Sequence, residues 1–135
     1  MKPTKLVIQA FGPFAKVEEI DFQLLGSNPI FLINGPTGAG KSTILDALCF
    51  ALYGQTTMGK ERDATQMRCD HSSDDLLTEV ILDFTLGDKS YRIKRTPAQD
   101  KPKTRGEGTT NHSPTATLWE IKKEEESLIA NGVSQ

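Results

Sequence analysis

Asn34-Gly35-Pro36-Thr37-Gly38-Ala39-Gly40-Lys41-Ser42-Thr43 is the stretch on which the reading of the fold turns. It satisfies G-x-x-x-x-G-K-[ST] through Gly35, Gly40, Lys41 and Ser42. A phosphate chain needs several amide N–H donors curled around it, and a side chain at Gly38 or Gly40 would obstruct that curl. Lys41 supplies a compact charge for the β- and γ-phosphates, and the Ser42 hydroxyl a hard oxygen ligand for Mg²⁺. The bland alternative is a glycine-rich turn that binds nothing. Its surroundings argue against that. Ile30-Phe31-Leu32-Ile33 precedes the loop as a short apolar run, which predicts a buried parallel strand. Ser42 to Tyr53 follows as a helix with Ile44, Leu45, Leu48, Ala51 and Leu52 on one face, and Gly54 sits where a C-terminal cap belongs. The N-terminus of such a helix attracts anions in its own right.

Upstream of the loop, Leu6 to Phe11 alternates as a strand with Leu6, Ile8 and Ala10 on one face. Gly12-Pro13 interrupts it, and Val17 to Phe22 reads as a second strand, antiparallel to the first. Gly26-Ser27-Asn28-Pro29 is a turn leading to the apolar run. Two strands thus come before the phosphate loop, whereas small kinases usually place that loop on their first strand.

Downstream, Gln55 to Asp75 is polar without sustained periodicity. Cys69-Asp70-His71 superficially resembles metal ligands, but no second cluster completes a coordination sphere, and a solvated loop is the simpler reading. His71 and His112 lie in no strand-to-helix elbow that would make a nucleophilic triad. Leu76 to Leu86 and Ser90 to Thr96 form a hairpin about Gly87-Asp88-Lys89. Asp83 follows the apolar Val80-Ile81-Leu82, as the second acidic motif of a nucleoside triphosphatase would. The strand continues into Phe84-Thr85-Leu86, however, which makes Asp83 an outward mid-strand residue.

From Lys89 to Arg105 the basic residues Lys89, Arg92, Lys94, Arg95, Lys101, Lys103 and Arg105 face one acid, Asp100. The run is either a solvated face or a contact to the DNA phosphate backbone, which needs charge but no particular bases. Residues 96–114 are rich in Pro, Gly, Thr and Lys and predict a mobile loop. Thr115 to Ile121 resumes strand character, and Lys122 to Ser127 reads as a charged turn from which Leu128-Ile129-Ala130 pairs back; Lys122 to Glu126 could instead start a helix, but Asn131-Gly132 favours the hairpin.

A chain of 135 residues fits one domain with a real core, and a net charge of −2 argues against general attraction to nucleic acid or anionic membranes. The start is too brief before Gln9 and Gly12 for a secretory signal, and no run approaches a membrane span. Cys49 and Cys69, with no CxxC, read as reduced thiols of a cytosolic protein.

Several segments together are more specific than the loop alone. Ala10-Phe11-Gly12-Pro13-Phe14, Glu19-Ile20-Asp21-Phe22, and the phosphate loop running on into Ile44-Leu45-Asp46-Ala47-Leu48 resemble the N-terminal end of the SbcC family. So do Met67-Arg68, Tyr91-Arg92-Ile93 with Arg95, and Lys103-Thr104-Arg105-Gly106-Glu107-Gly108. These are SMC-like DNA-repair ATPases with ABC-type heads, and the likeness covers essentially the whole chain. The resemblance implies an α/β fold with α+β features: a P-loop NTPase, ABC-type half-head with a mixed sheet. Its parts would be N-terminal antiparallel strands, the phosphate-loop strand and helix, and a hairpin-rich remainder, with residues 1–135 as one N-terminal segment.

It further implies ATP and Mg²⁺ as cofactors, held by Asn34 to Thr43 with Ser42 on the metal, and an approach to the nucleotide by Thr65, Gln66 and Met67. Arg92, Lys94, Arg95, Lys101, Lys103 and Arg105 are the candidate DNA contacts. The implied partners are the C-terminal half of the same head, a second head dimerising with ATP, an SbcD-like nuclease subunit and double-stranded DNA ends. The implied setting is the cytoplasm, at the nucleoid. In that family the Q-loop glutamine, the ABC signature and the second acidic motif lie elsewhere, so neither Gln135 nor Asp83 takes those roles. No catalytic residue is expected here, and the chain is expected to bind nucleotide without hydrolysing it alone. Relatives with an Arg after the first strand use it near the phosphates; Phe11-Gly12-Pro13 offers no such side chain. The competing readings are a nucleotide-independent DNA-binding scaffold, resting on the basic run, and a small kinase using Arg62 and Arg68.

Overall fold

In the computed structural model, which describes residues 1–27, 30–123 and 125–133, alternation along the first strand sets the core. Strand β1 (Lys2–Phe11) buries Leu6, Ile8 and Ala10 completely. It pairs antiparallel on one edge with β2 (Phe14–Asp21), Leu6 opposite Ile20, and on the other with β3 (Glu79–Leu86), Leu6 opposite Leu82 and Ile8 opposite Val80. The expected hairpin forms: β3 turns at Gly87-Asp88 into β4 (Lys89–Thr96), with Leu86 opposite Lys89. Then β4 pairs with β7 (Thr115–Lys122), and β7 with β8 (Glu125–Asn131). The result is a six-stranded sheet in the order β2-β1-β3-β4-β7-β8, every neighbour antiparallel. The mixed sheet expected from sequence is not formed among the described residues.

One long helix, α1 (Lys41–Tyr53), covers the apolar face of this sheet. Gly54 caps it as expected, in the left-handed region at φ 75° with its N–H donating to Phe50 O at 2.8 Å. The buried face is rotated from the expected one. Thr43, Asp46, Ala47, Phe50 and Ala51 point inward, Leu45 is exposed, and Ile44, Leu48 and Leu52 are half-buried. Small side chains at Ala47 and Ala51 let the helix approach the sheet closely, while the Phe50 ring stacks on Phe11 of β1 with centroids 5.9 Å apart.

Ile30 to Ile33 is where sequence and structure part. The predicted buried parallel strand is absent: these residues belong to no strand, and Ile30 and Leu32 are 85% and 87% exposed. A strand apolar on both faces needs neighbours on both edges. Here the described strands pair only with one another, and nothing parallel lies beside 30–33. Phe31 makes a tilted ring contact with Phe22 at 5.9 Å, and Ile33 is half-buried. Residues 96–114, expected as a mobile loop, contain a second hairpin, β5 (Gln99–Pro102) against β6 (Thr109–His112). Gln99 anchors it by an amide exchange with the backbone of Thr78, which periodicity cannot reveal. Asn28 and Pro29 of the expected turn, Glu124 of the charged turn, and Gln135 lie outside the described residues. No helix among the described residues is long and apolar enough to cross a membrane.

Candidate nucleotide-phosphate site

Gly35 to Thr43 curls into the N-terminus of α1. Gly38 and Gly40 both hold positive φ, 85° and 95°, a region that L side chains rarely adopt. They differ in surroundings. A Cβ on Gly38 would meet nothing within 4 Å, so open space faces the loop there, whereas one on Gly40 would sit 2.6 Å from Cζ of Phe14. Ala39 N–H donates to Pro36 O at 3.2 Å, and Ile44 N–H makes the first intrahelical bond, to Gly40 O at 3.2 Å. The amides of Lys41, Ser42 and Thr43 therefore have no partner within the helix. Lys41 Nζ folds back over the loop and donates to Gly35 O and Pro36 O, each at 2.7 Å. The ammonium thus closes the curl from inside, with one of its three donors free.

Two other segments wall this site. The β1–β2 turn lies against it: Gly12, at φ 60°, packs so tightly on Thr43 that a Cβ would lie 2.5 Å from the threonine methyl. A side chain at this position would be strained by the backbone and would have to displace Thr43, a physical reason for the glycine in Phe11-Gly12-Pro13. Gly12 N–H donates to Met67 O at 2.6 Å and Cys69 N–H to Ala10 O at 3.1 Å, so the 67–69 segment is stitched to the end of β1. That stitching brings the polar stretch, read as a solvated loop, down onto the phosphate loop. The cleft, of about 640 Å³, is lined by Gly12, Pro13, Thr37, Gly38, Lys41 and Ser42 on one side and Arg62, Gln66, Arg68 and Asp70 on the other, with Cys69 and His71 beyond.

Of the three residues expected to approach the nucleotide, Gln66 lines this cleft; Met67 is wholly buried in the core and Thr65 lines a neighbouring hollow with Arg68 and Lys101. Asn34, Gly35, Pro36 and Ala39 belong to the loop without lining the cleft. From sequence, Arg62 enters only through the kinase reading, and Asp70 and His71 only as a superficial likeness to metal ligands. For Arg62 a signal existed: Asp46 sits among core positions of α1, and a buried carboxylate needs partners. Thr57 supplies two, through N–H at 2.9 Å and Oγ1 at 2.5 Å, and Arg62 stands 3.8 Å away.

The basic run does not form one patch. Strand alternation sends Arg92 and Lys94 to one face of the sheet and Arg95 to the other. Arg92 is bound by Asp83 through two 2.7 Å bonds and by Glu126 at 2.5 Å; Asp83 above all, and then Glu126, raise its pKa above the usual arginine value against the opposing effect of burial. Asp83 is accordingly an outward mid-strand partner, as expected, and does not line the cleft. Lys94 pairs with Glu79 at 2.8 Å. Arg95 lies under α1 and donates to Ala51 O at 2.8 Å and Leu52 O at 3.4 Å, satisfying the carbonyl end of the helix whose amide end faces the cleft. Burial lowers its pKa. Lys101, Lys103 and Arg105 are carried by the β5–β6 hairpin and its tip. Among the described residues, no group of three or more His, Cys, Asp or Glu side chains could hold a metal ion.

With this geometry in hand, comparison with known proteins is specific. The model of the AAA domain family matches residues 5–133. The chain is 59% identical over 131 residues to the SbcC component of nuclease SbcCD from Vibrio cholerae, covering 97% of this chain and 13% of that protein. It is 48% identical over 118 residues to the protein of the same name from Lactococcus lactis, covering 87% of this chain and 11% of the relative. The Treponema pallidum protein of that name is 38% identical over 96 residues, covering 71% of this chain and 9% of the relative. The chain thus spans about an eighth of the length of the first two relatives, and the resemblance expected from sequence is borne out.

Proposed function

The chain belongs to the AAA domain family, and from that premise we propose that Gly35 to Thr43 bind the triphosphate of ATP as one side of a composite ATPase site. The observation that carries this is the pairing of partnerless amides at Lys41, Ser42 and Thr43 with an ammonium already folded over the same curl. On binding, Lys41 exchanges the Gly35 and Pro36 carbonyls for phosphate oxygens. The open space before Gly38 admits the phosphates, and Ser42, exposed at the cleft wall, offers its hydroxyl to Mg²⁺. The ion, when bound, neutralises charge between the phosphates.

The relatives' name, a subunit of nuclease SbcCD, supports a role as the ATPase component of a DNA-processing nuclease, with an SbcD-like partner supplying the nuclease chemistry. The exposed Ile30-Phe31-Leu32 run is the seat for the C-terminal half of the head, whose strands would bury it. A second head closes over the nucleotide, and double-stranded DNA ends are the substrate, in the cytoplasm at the nucleoid. Lys101, Lys103 and Arg105 are the DNA-phosphate contacts this reading retains; Arg92, Lys94 and Arg95 already serve the fold. Because the resemblance places the ABC signature and the second acidic motif elsewhere, the chain alone, in this reading, binds ATP without turning it over.

Calorimetric titration with Mg-ATP tests the reading. Lys41→Ala should weaken binding by about a hundredfold, the order expected for losing a charged hydrogen bond to phosphate. Binding indifferent to Lys41→Ala would remove the phosphate-loop assignment.

A further inference from the structure

We propose that Arg62 is a second phosphate-binding cation of this cleft, aimed by the buried carboxylate of Asp46; the inference rests on the cleft taking a triphosphate. Asp46 stands on the sheet-facing side of α1 and is 2% exposed. One of its oxygens, Oδ1, accepts both bonds from Thr57, and the other faces Arg62 Nη1 at 3.8 Å. That distance is a charge contact and too long for a hydrogen bond. The backbone of Arg62 is fixed separately, its carbonyl accepting from Thr56 Oγ1 at 2.5 Å. The guanidinium is therefore located from two directions while its donors stay available.

The contrast with the other arginines nearby supports this. Arg68, on the same cleft wall, gives its donors to Leu76 O, Ser73 O and Gln99 Oε1. Arg95 gives its own to the helix carbonyls, and Arg92 to Asp83 and Glu126. Among the described hydrogen bonds none comes from the side chain of Arg62, which lines the cleft with Lys41 and Ser42 and is 42% exposed. A guanidinium with free, forked donors beside an anion cradle matches a phosphate in bidentate fashion. The carboxylate behind it belongs to the same helix as Lys41 and Ser42. Arg62 is therefore held beside the phosphate loop, although it lies some distance along the chain in a stretch with no motif.

The test compares Mg-ATP and inorganic tripolyphosphate binding to the full chain carrying Arg62→Gln, Arg62→Lys or Lys41→Ala. Arg62→Gln should weaken both ligands about tenfold and flatten the salt dependence, with Arg62→Lys in between. To keep an unpaired buried Asp46 from confusing the result, Asp46→Asn/Arg62→Gln, which removes both charges, should show the same loss with an unchanged melting temperature. Wild-type affinity in the single and the double variant overturns the proposal, as does a loss confined to ATP, which would place Arg62 on the nucleoside. Failure of Lys41→Ala to weaken binding would instead sink the phosphate-loop reading.

Discussion

Two runs of this chain are about equally apolar and meet opposite fates. Val80-Ile81-Leu82 in β3 has a strand on each side and α1 above it, and Val80 and Leu82 are wholly buried. Ile30-Phe31-Leu32-Ile33 has no strand on either side, and its first and third residues stand in solvent. Composition makes a segment able to be buried, but neighbours decide whether it is. The antiparallel sheet and its helix form a finished core, while the segment leading to the phosphate loop stands as an apolar surface.

The largest effect that could break this contrast is on stability. Leu82→Ala should cost about 3 kcal/mol, within the range for a core leucine, whereas Leu32→Ala should change stability by less than about 0.5 kcal/mol. Denaturant unfolding followed through Trp119 measures both, and equal losses would mean that Leu32 is buried in solution. Next come the two loop glycines. Gly40→Ala should destabilise by about 2 kcal/mol, since it meets strain and the Phe14 ring, against about 1 kcal/mol for Gly38→Ala, which meets strain alone. Adding Phe14→Ala should recover part of the Gly40→Ala loss and none of the Gly38→Ala loss.

A smaller effect separates the basic residues. Arg95→Met should lose about 1 kcal/mol by orphaning the Ala51 and Leu52 carbonyls, while Arg105→Met on the hairpin tip should be neutral within about 0.5 kcal/mol. The smallest is in acid. Lys122, and then Lys89, hold the Glu120 carboxyl below its ordinary value of 4.5. Lys122 makes the hydrogen bond, while Lys89, 3.3 Å from the other oxygen, is an ion pair only. A depressed folded pKa means that the stabilisation is complete above 4.5 and is lost as pH falls through the lower folded value. Glu120→Gln should flatten that acid limb of a melting-temperature profile, lowering the melting temperature slightly at neutral pH and leaving it unchanged below the folded value.

Much of this was legible in the sequence because it is local. Alternation announced β1, β3 and β4, and Gly87-Asp88 their turn; Lys41 to Tyr53 with Gly54 announced α1 and its cap. The loop glycines declared themselves by spacing. What sequence could not supply were relations between distant residues. Whether Ile30 to Ile33 finds a neighbour depends on sheet order, and the face α1 buries depends on where Ala47 and Ala51 dock. The basic run looked continuous because adjacency along a strand conceals that alternate residues point apart, so Arg95 became a helix cap and Arg92 the partner of Asp83. On the far wall of the cleft only Gln66 was expected, through the resemblance; Arg62 reaches it through the Asp46–Arg62 contact, which leaves no periodic trace.

The most direct test of the central claim, that the curl at the head of α1 is a triphosphate cradle, is amide hydrogen exchange with and without Mg-ATP. Exchange should slow at Gly38 to Thr43 and at Gln66, and stay unchanged at Ile30 to Ile33, which nucleotide alone does not cover. Unchanged exchange across Gly38 to Thr43 at saturating Mg-ATP, or protection confined to the β5–β6 hairpin, would contradict it.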